Sequence, residues 1–155
     1  MPTDETERVA RLFAQEVPEI AAGDVQIKAI ARKAGVRSKL ALQKGAPGID
    51  AIGVCVGVRG CRIRRIVEQL EGERIDLILW DDCPERLIAN ALQPAKIEKV
   101  ILHPAQHRAT VIVRKDQLSF VAGSGDESQG VIGSGEENRK LASRLSGWQI
   151  TVVAQ

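Results

Sequence analysis

Short segments in which apolar and polar residues alternate occur in both halves of the chain. Residues 25–32 and 38–44 alternate with a period of two, which is typical of strands, and a glycine turn between them predicts a hairpin. Residues 97–103 and 108–115 predict a second hairpin around Pro104. Each half therefore begins with the same supersecondary unit.

Apolar residues at helical spacing occur before and after each hairpin. They predict helices over 4–17, 49–56, 61–71, 84–92, 117–122 and 137–145, with Asp81 or Asp82 as the cap of the fourth, and final strands over 73–80 and 148–153. Both halves then run strand, strand, helix, glycine turn, helix, strand. The sequence thus predicts an internal repeat of one small unit of mixed helix and sheet.

Composition narrows the class of protein. The chain has 155 residues, of which 44% are hydrophobic, so a core can form and wholesale disorder is excluded. It holds no run of about 20 apolar residues, and its acidic start is unlike a signal peptide. We therefore expect a cytoplasmic protein. Aromatic residues make up 3%, which is too few for the base-stacking surfaces of RNA-recognition-motif and OB folds.

Charge and reactive side chains favour binding over catalysis. Residues 21–50 carry six bases and two acids, after an acidic leader, which is typical either of a local phosphate-binding face or of an ordinary solvated surface. Three cysteines without a CxxC pair and two histidines, His103 and His107, do not supply a zinc site. We expect buried or half-buried reduced thiols, solvated histidines, no metal or cofactor, and no enzymatic activity, because no catalytic constellation is found.

The turn between the second and third predicted helices has the pattern Gly-x-x-Gly, with Gly57, Val58, Arg59 and Gly60. Without β-carbons, such a turn lets a sugar–phosphate chain approach the backbone. The helix that follows directs its first amides and its dipole at a phosphate. Arg59, and Arg62 just behind the turn, add charge-assisted contacts. In this order of elements, the turn is typical of a KH domain, which clamps about four nucleotides of single-stranded RNA or DNA.

The sequence resembles the tandem KH region of the NusA family of transcription factors. The resemblance lies in VPEI (17–20), VQIKAIARKAGVRSKLAL (25–42), IDAIGVCVGVRGCRI (49–63), ERIDLILW (73–80), ANALQPAKI (89–97), DQLS (116–119) and LSGWQI (145–150). It implies two type II KH domains, each β-β-α-α-β with a three-stranded sheet, packed as one unit after a short helix. The implied segments are a helical leader over 1–20, KH domains over 21–80 and 97–155, and a connecting helix over 81–96.

The resemblance also implies a function and partners. The chain would bind nascent single-stranded RNA and regulate transcription elongation, pausing, termination and antitermination, with RNA polymerase and other transcription factors as further partners. The alternative is a protein-interaction module on the same scaffold, which contacts polymerase or a ribosomal protein and binds little RNA through its second unit. The first loop, rich in arginine, favours RNA; the second loop, rich in acids, keeps the alternative open.

The candidate RNA-binding residues fall into two groups. In the first half they are the loop and the bases near it: Gly57, Val58, Arg59, Gly60, Arg62, Arg64, Arg65, Arg37 and Lys39. Arg37 and Lys39 flank the groove or belong to a solvated strand face. In the second half the candidates are Gly133, Ser134, Gly135, Asn138, Arg139 and Lys140.

The second loop departs from the family pattern. GSGDE (123–127) and GSGEE (133–137) are near-copies ten residues apart, and in the register counted from LSGW the second motif glycine is replaced by Glu136. Asp126, Glu127, Glu136 and Glu137 would repel phosphates, although Arg139 and Lys140 could still reach the RNA backbone. We therefore expect a weakened or repurposed second RNA site.

Overall fold

The chain divides into two compact units, Met1–Trp80 and Asp81–Gln155, in a computed structural model that describes residues 4–121 and 134–155. Each unit has its own three-stranded sheet and its own helices, so the α+β class is confirmed. The finer predicted segmentation and the packing of the two units as one body stay predictions.

Besides a 3₁₀ turn at Val58–Gly60, the described residues of the first unit form four α-helices and three strands. In chain order they are α1 (Asp4–Glu16), α2 (Pro18–Ala21), β1 (Val25–Lys33), β2 (Arg37–Lys44), α3 (Ala51–Val56), α4 (Cys61–Gln69) and β3 (Arg74–Leu79). Asp50 caps α3 by accepting the N–H of Gly53 at 3.0 Å. Beyond the end of α4, the N–H of Gly72, at a φ of 88°, donates to the carbonyl of Val67 at 2.9 Å.

The first sheet has the order β1-β2-β3, so β2 is the central strand. The predicted hairpin is present: β1 and β2 pair antiparallel, with a register shift between Ile27 and Ala29. β3 returns after two helices and pairs parallel to β2. One face of the sheet packs against the helices through a buried core of Val9, Phe13, Val17, Val25, Leu40, Leu42, Ala51, Cys55, Ile66 and Leu70.

The prediction of a solvated face on β2 is wrong. Arg37 is 4% exposed and Lys39 is fully buried, because β2 is covered on both faces and lies beside an acid of β3. The Nε of Arg37 and the Nζ of Lys39 both donate to the Oδ2 of Asp76, at 2.6 and 2.9 Å. Burial lowers the pKa of Lys39 to about 8, against the opposing effect of Asp76.

A second buried ion pair joins the end of β1 to the residue that precedes β3. The guanidinium of Arg32 donates to the carboxylate of Glu73, with the Nη2–Oε1 distance at 2.9 Å. Glu73 also accepts from the hydroxyl of Ser38 at 2.6 Å and from the N–H of Gly35 at 2.8 Å. Burial acts to raise the pKa of Glu73, but these hydrogen bonds outweigh it and leave that pKa below its usual value.

The second unit repeats the sheet of the first. Its elements are α5 (Pro84–Ala91), β4 (Lys99–His103), β5 (Arg108–Val113), α6 (Ser134–Ser146) and β6 (Gln149–Ala154), with 3₁₀ turns at Pro104–Gln106 and Lys115–Phe120. The order is β4-β5-β6, with β4 antiparallel and β6 parallel to β5. The predicted internal repeat is therefore confirmed for the sheets.

The second unit differs from the sequence predictions at its helix boundaries. The N-cap of α5 is Cys83 rather than Asp81 or Asp82. The Oδ1 of Asp81 instead accepts the N–H of Cys83 at 2.8 Å, within the turn that precedes the helix. The short helix predicted over 117–122 is the 3₁₀ turn Lys115–Phe120, and α6 begins three residues before the predicted Glu137.

Candidate nucleic-acid interface

The Gly-x-x-Gly turn lies between α3 and α4, as predicted, and three of its four residues have positive φ. The values are 80° at Gly57, 56° at Arg59 and 74° at Gly60. Glycine adopts these conformations at no steric cost, whereas a β-carbon is strained there. Two backbone hydrogen bonds of 3.0 Å, from the N–H of Gly57 to Gly53 and from the N–H of Gly60 to Gly57, fix the path of the loop.

The tip of the loop projects into solvent next to the amino terminus of α4. Val58 is 78% exposed, and Arg59 beside it is also exposed. Gly60 is the N-cap of α4 and has no side chain to accept the first helical amides. The loop therefore combines a flexible cation, an aliphatic side chain and a helix terminus with positive partial charge, which together suit a phosphodiester.

Two further arginines of α4 extend this positive surface. Arg64 is exposed, and its Nη2 donates to the carbonyl of Arg59 at 3.0 Å, which places its guanidinium at the loop. The side chain of Arg65 is 66% exposed, and its Nη1 lies 3.6 Å from the Oε2 of Glu16. An exposed ion pair of this length is weak, so Arg65 can turn toward another anion.

Arg62 has a different environment from the other arginines near the loop. Its Nη1 donates to both carboxylate oxygens of Glu19 at 3.1 Å and to the carbonyl of Val54 at 2.7 Å. The side chain is 27% exposed and packs beneath the loop, where a β-carbon on Gly57 would lie 2.7 Å from its Cγ. Its guanidinium is therefore committed to the protein.

Arg37 and Lys39 do not join the loop surface. Both are buried and share Asp76, so neither offers its charge to a ligand at the surface.

A cleft of about 440 Å³ lies at the other end of α3 from the loop. Its wall includes Ile49, Ala51, Leu79 and Trp80. Leu79 is 49% exposed and leaves aliphatic surface accessible at this cleft. The cleft offers aliphatic surface on the same helix that leads into the glycine turn.

The second candidate site is built differently. Gly133 and the acids Asp126 and Glu127 lie outside the described residues, and of Ser134 only its place at the start of α6 is described. Gly135 is buried at that start. Asn138 is 1% exposed, and its Nδ2 donates to the carbonyls of Leu92 at 2.9 Å and Phe120 at 2.8 Å. Asn138 therefore joins elements within its unit instead of facing a ligand.

The bases of α6 already have an acidic neighbour. The Oε1 of Glu136 lies 3.3 Å from the Nη2 of Arg139 and 3.8 Å from the Nζ of Lys140. The first turn of the helix therefore supplies its own anion to these two cations.

The remaining polar groups do not form a candidate metal centre among the described residues. In ranges 4–121 and 134–155, no cluster of three or more His, Cys, Asp or Glu side chains could hold a metal ion. Cys55 is buried, Cys61 and Cys83 are half-buried, and both histidines are exposed, as predicted. No helix in the described part of the chain is long and apolar enough to cross a membrane.

The sequence did not reveal the acids that control these bases. Glu19, Glu73 and Asp76 pair with Arg62, Arg32 and Lys39, over separations of 43, 41 and 37 residues. Periodicity reports only which residues share a face of one element, so it carries no signal for a pair formed between distant segments.

Family models match both units. The NusA-like first KH domain matches residues 3–80, and the NusA-like second KH domain matches residues 84–155. Among solved structures, the crystal structure of APE1850 superimposes with a TM-score of 0.63 at 22% identity, covering 99% of this chain and 100% of that one. At that identity, the likeness supports the fold alone.

Curated relatives carry the name transcription termination/antitermination protein NusA. The protein of Mycobacterium tuberculosis is 43% identical over 145 residues, which are 93% of this chain and 39% of the relative. That of Bacillus subtilis is 41% identical over 94% of this chain and 36% of the relative. That of Thermus thermophilus is 45% identical over 90% of this chain and 33% of the relative. The chain thus spans less than two-fifths of the length of these relatives.

Proposed function

The chain belongs to the NusA-like KH-domain family, and from this premise we propose that it binds single-stranded RNA through the loop of its first unit. The observation that carries the proposal is the exposed pair Val58–Arg59 at the N-terminus of α4, where Gly60 leaves the first amides without a side-chain cap. A phosphate placed there gains helix amides, a favourable dipole and a guanidinium.

The charges near the loop set the expected strength of the electrostatic contribution. Arg59, Arg64 and Arg65 are exposed, whereas Arg62 is neutralised by Glu19. Two or three cations beside the loop match a contact with a few phosphates of one strand, which agrees with the roughly four nucleotides that a KH domain clamps. Because exposed aromatics are scarce, the bases would lie on aliphatic side chains such as those of the cleft beside α3.

The second unit would contribute less to RNA binding. Asn138 donates its side-chain hydrogen bonds to two backbone carbonyls, and Glu136 forms ion pairs with Arg139 and Lys140 near the start of α6. These two observations also favour the second candidate function, a surface of the second unit that contacts a protein. The partner of that surface would be RNA polymerase or a ribosomal protein. The RNA bound by the first unit would be a nascent transcript, and the chain would regulate pausing, termination or antitermination of its synthesis. We propose that it does so in the cytoplasm and has no enzymatic activity of its own.

A titration of single-stranded RNA of about twelve nucleotides, followed by fluorescence anisotropy, tests the proposal. We expect the double variant Val58→Asp, Arg59→Asp to weaken binding at least about tenfold, near 1.4 kcal/mol. A matched control, Lys99→Asp with Gln149→Asp, changes the net charge by the same amount on exposed strands of the second unit. The control should bind nearly as well as the wild type; equal affinities for all three proteins, each folded, would move the site away from the loop.

A further inference from the structure

Arg62, just after the glycine turn, points its guanidinium into the protein and not toward the solvent-exposed side of the loop. Its Nη1 contacts Glu19 and the carbonyl of Val54, and its alkyl chain lies against Gly57. We infer that Arg62 is a positioning residue, locked by Glu19, which holds the first loop in the shape that receives the RNA backbone. This role rests on the proposed function, because it concerns how that same loop is prepared for a ligand.

Arg62 connects four segments that would otherwise be joined only through the chain. It lies in the first turn of α4, bonds to a carbonyl of α3, packs against the first glycine of the loop and pairs with a carboxylate of α2. The contact with Gly57 is close: a β-carbon there would come within 3.0 Å of the Cβ and the backbone nitrogen of Arg62 as well. Moving the side chain therefore removes the support beneath the residue where the loop begins.

The ion pair also explains why an acid is tolerated beside a phosphate site. Glu19 accepts a backbone hydrogen bond and the hydrogen bonds of Arg62, and both lower its pKa, so it is ionised at neutral pH. The pair as a whole adds no net charge to the surface. The attraction for phosphates then comes from Arg59, Arg64 and Arg65, while Arg62 and Glu19 supply geometry.

The salt dependence of binding separates a phosphate ligand from a positioning residue. Each phosphate neutralised on a single strand contributes about 0.7 to the slope of log K against log[salt]. We expect Arg59→Gln to reduce that slope by about 0.7. We expect Arg62→Gln to weaken binding about three- to tenfold with an unchanged slope. A slope that falls by about 0.7 in Arg62→Gln as well would overturn the inference, because Arg62 would then contact a phosphate.

The variant Glu19→Gln gives a test of opposite sign. If Glu19 were merely an acid near the RNA, removing its charge would strengthen binding. If it locks Arg62, the same change weakens binding about threefold or more, and Glu19→Asp, which keeps the charge, recovers part of the loss. Stronger or unchanged binding by folded Glu19→Gln contradicts the inference.

A measurement without RNA distinguishes failure of the inference from failure of the proposed function. The amides of Gly57 and Gly60 are hydrogen-bonded within the loop. Hydrogen exchange at these two amides should accelerate several-fold in Glu19→Gln and in Arg62→Gln, while the amide of Leu70, bonded to Ile66, keeps its wild-type rate. Unchanged exchange refutes the positioning role even if RNA binds; accelerated exchange supports it even if the wild type fails to bind RNA.

Discussion

The two glycines of the first loop should differ in what an alanine costs. Gly57 has φ 80° and ψ 172°, a region that is almost closed to other residues, and its β-carbon would lie 2.7 Å from the Cγ of Arg62. Gly60 has φ 74° and ψ 18°, which is left-handed helical, and its β-carbon would lie 3.9 Å from Ile63, an ordinary contact. The same substitution thus meets a clash at one end of the loop and an ordinary contact at the other.

The magnitudes follow from those surroundings. Gly60→Ala destabilises the fold only through its left-handed conformation, by about 1–2 kcal/mol. Gly57→Ala lowers the free energy of unfolding by about 1–3 kcal/mol through its backbone conformation, and it must also displace Arg62 from Glu19 and Val54. We therefore expect Gly57→Ala to cost about 2–4 kcal/mol, which is about 1–2 kcal/mol more than Gly60→Ala.

Urea unfolding of both variants and of the wild type, followed by circular dichroism, measures the two costs. Gly53→Ala is not a suitable control, because its β-carbon would meet the carboxylate of Asp50 that caps α3. Equal costs for Gly57→Ala and Gly60→Ala, or a larger cost at Gly60, would refute the view that Arg62 packs tightly beneath the start of the loop.

Three further predictions concern buried polar groups. The folded protein lowers the pKa of Lys39 to about 8, so above that pH the unfolded chain binds more protons at this side chain than the folded protein does. Between pH 7 and pH 9, the free energy of unfolding of the wild type should therefore rise by about 1 kcal/mol relative to that of Lys39→Met, as measured by urea titration. Glu73→Ala leaves the buried guanidinium of Arg32 unpaired and should cost about 3 kcal/mol or more in denaturant unfolding at pH 7. Because the pKa of Glu73 is depressed in the folded state, the wild type should lose this advantage as the pH falls below about 4 and through that lowered pKa. A cost of Glu73→Ala that acid leaves unchanged would contradict this reasoning. Asn138→Ala removes the donor that joins two carbonyls and should cost about 2 kcal/mol in the same assay, whereas a neutral result would mean that these bonds add nothing to stability.

The sequence predicts the elements of the first unit well because each has a local signal. The alternating residues of β1 and β2, the cap at Asp50 and the glycine after α4 act within a few positions of the chain, and they place the loop at Gly57–Gly60 correctly.

Local sequence signals do not predict the burial of the charged residues or their ion-pair partners. Lys39 alternates with apolar neighbours and reads as solvated, but its neighbour in the sheet is Asp76 of β3, and this pairing exists only once two helices have returned the chain. The sequence likewise predicts Arg62 to be a phosphate contact, because its partner Glu19 lies 43 residues earlier in the chain and gives no local signal. In each case the sequence predicts the charge and the position along the element, while a distant acid decides what the charge does.

The most direct test of the first loop as the RNA site is a nitrogen-15 heteronuclear NMR titration of the whole chain with a four-nucleotide single-stranded RNA. The largest amide shifts should fall on residues 57–65, which include the exposed Val58 and Arg59 and the first turn of α4, with smaller shifts along α3. Amides of β4 to β6 should stay near their free positions, because four nucleotides suffice for one KH loop. Shifts confined to the second unit, or no shifts at millimolar RNA, would contradict the account.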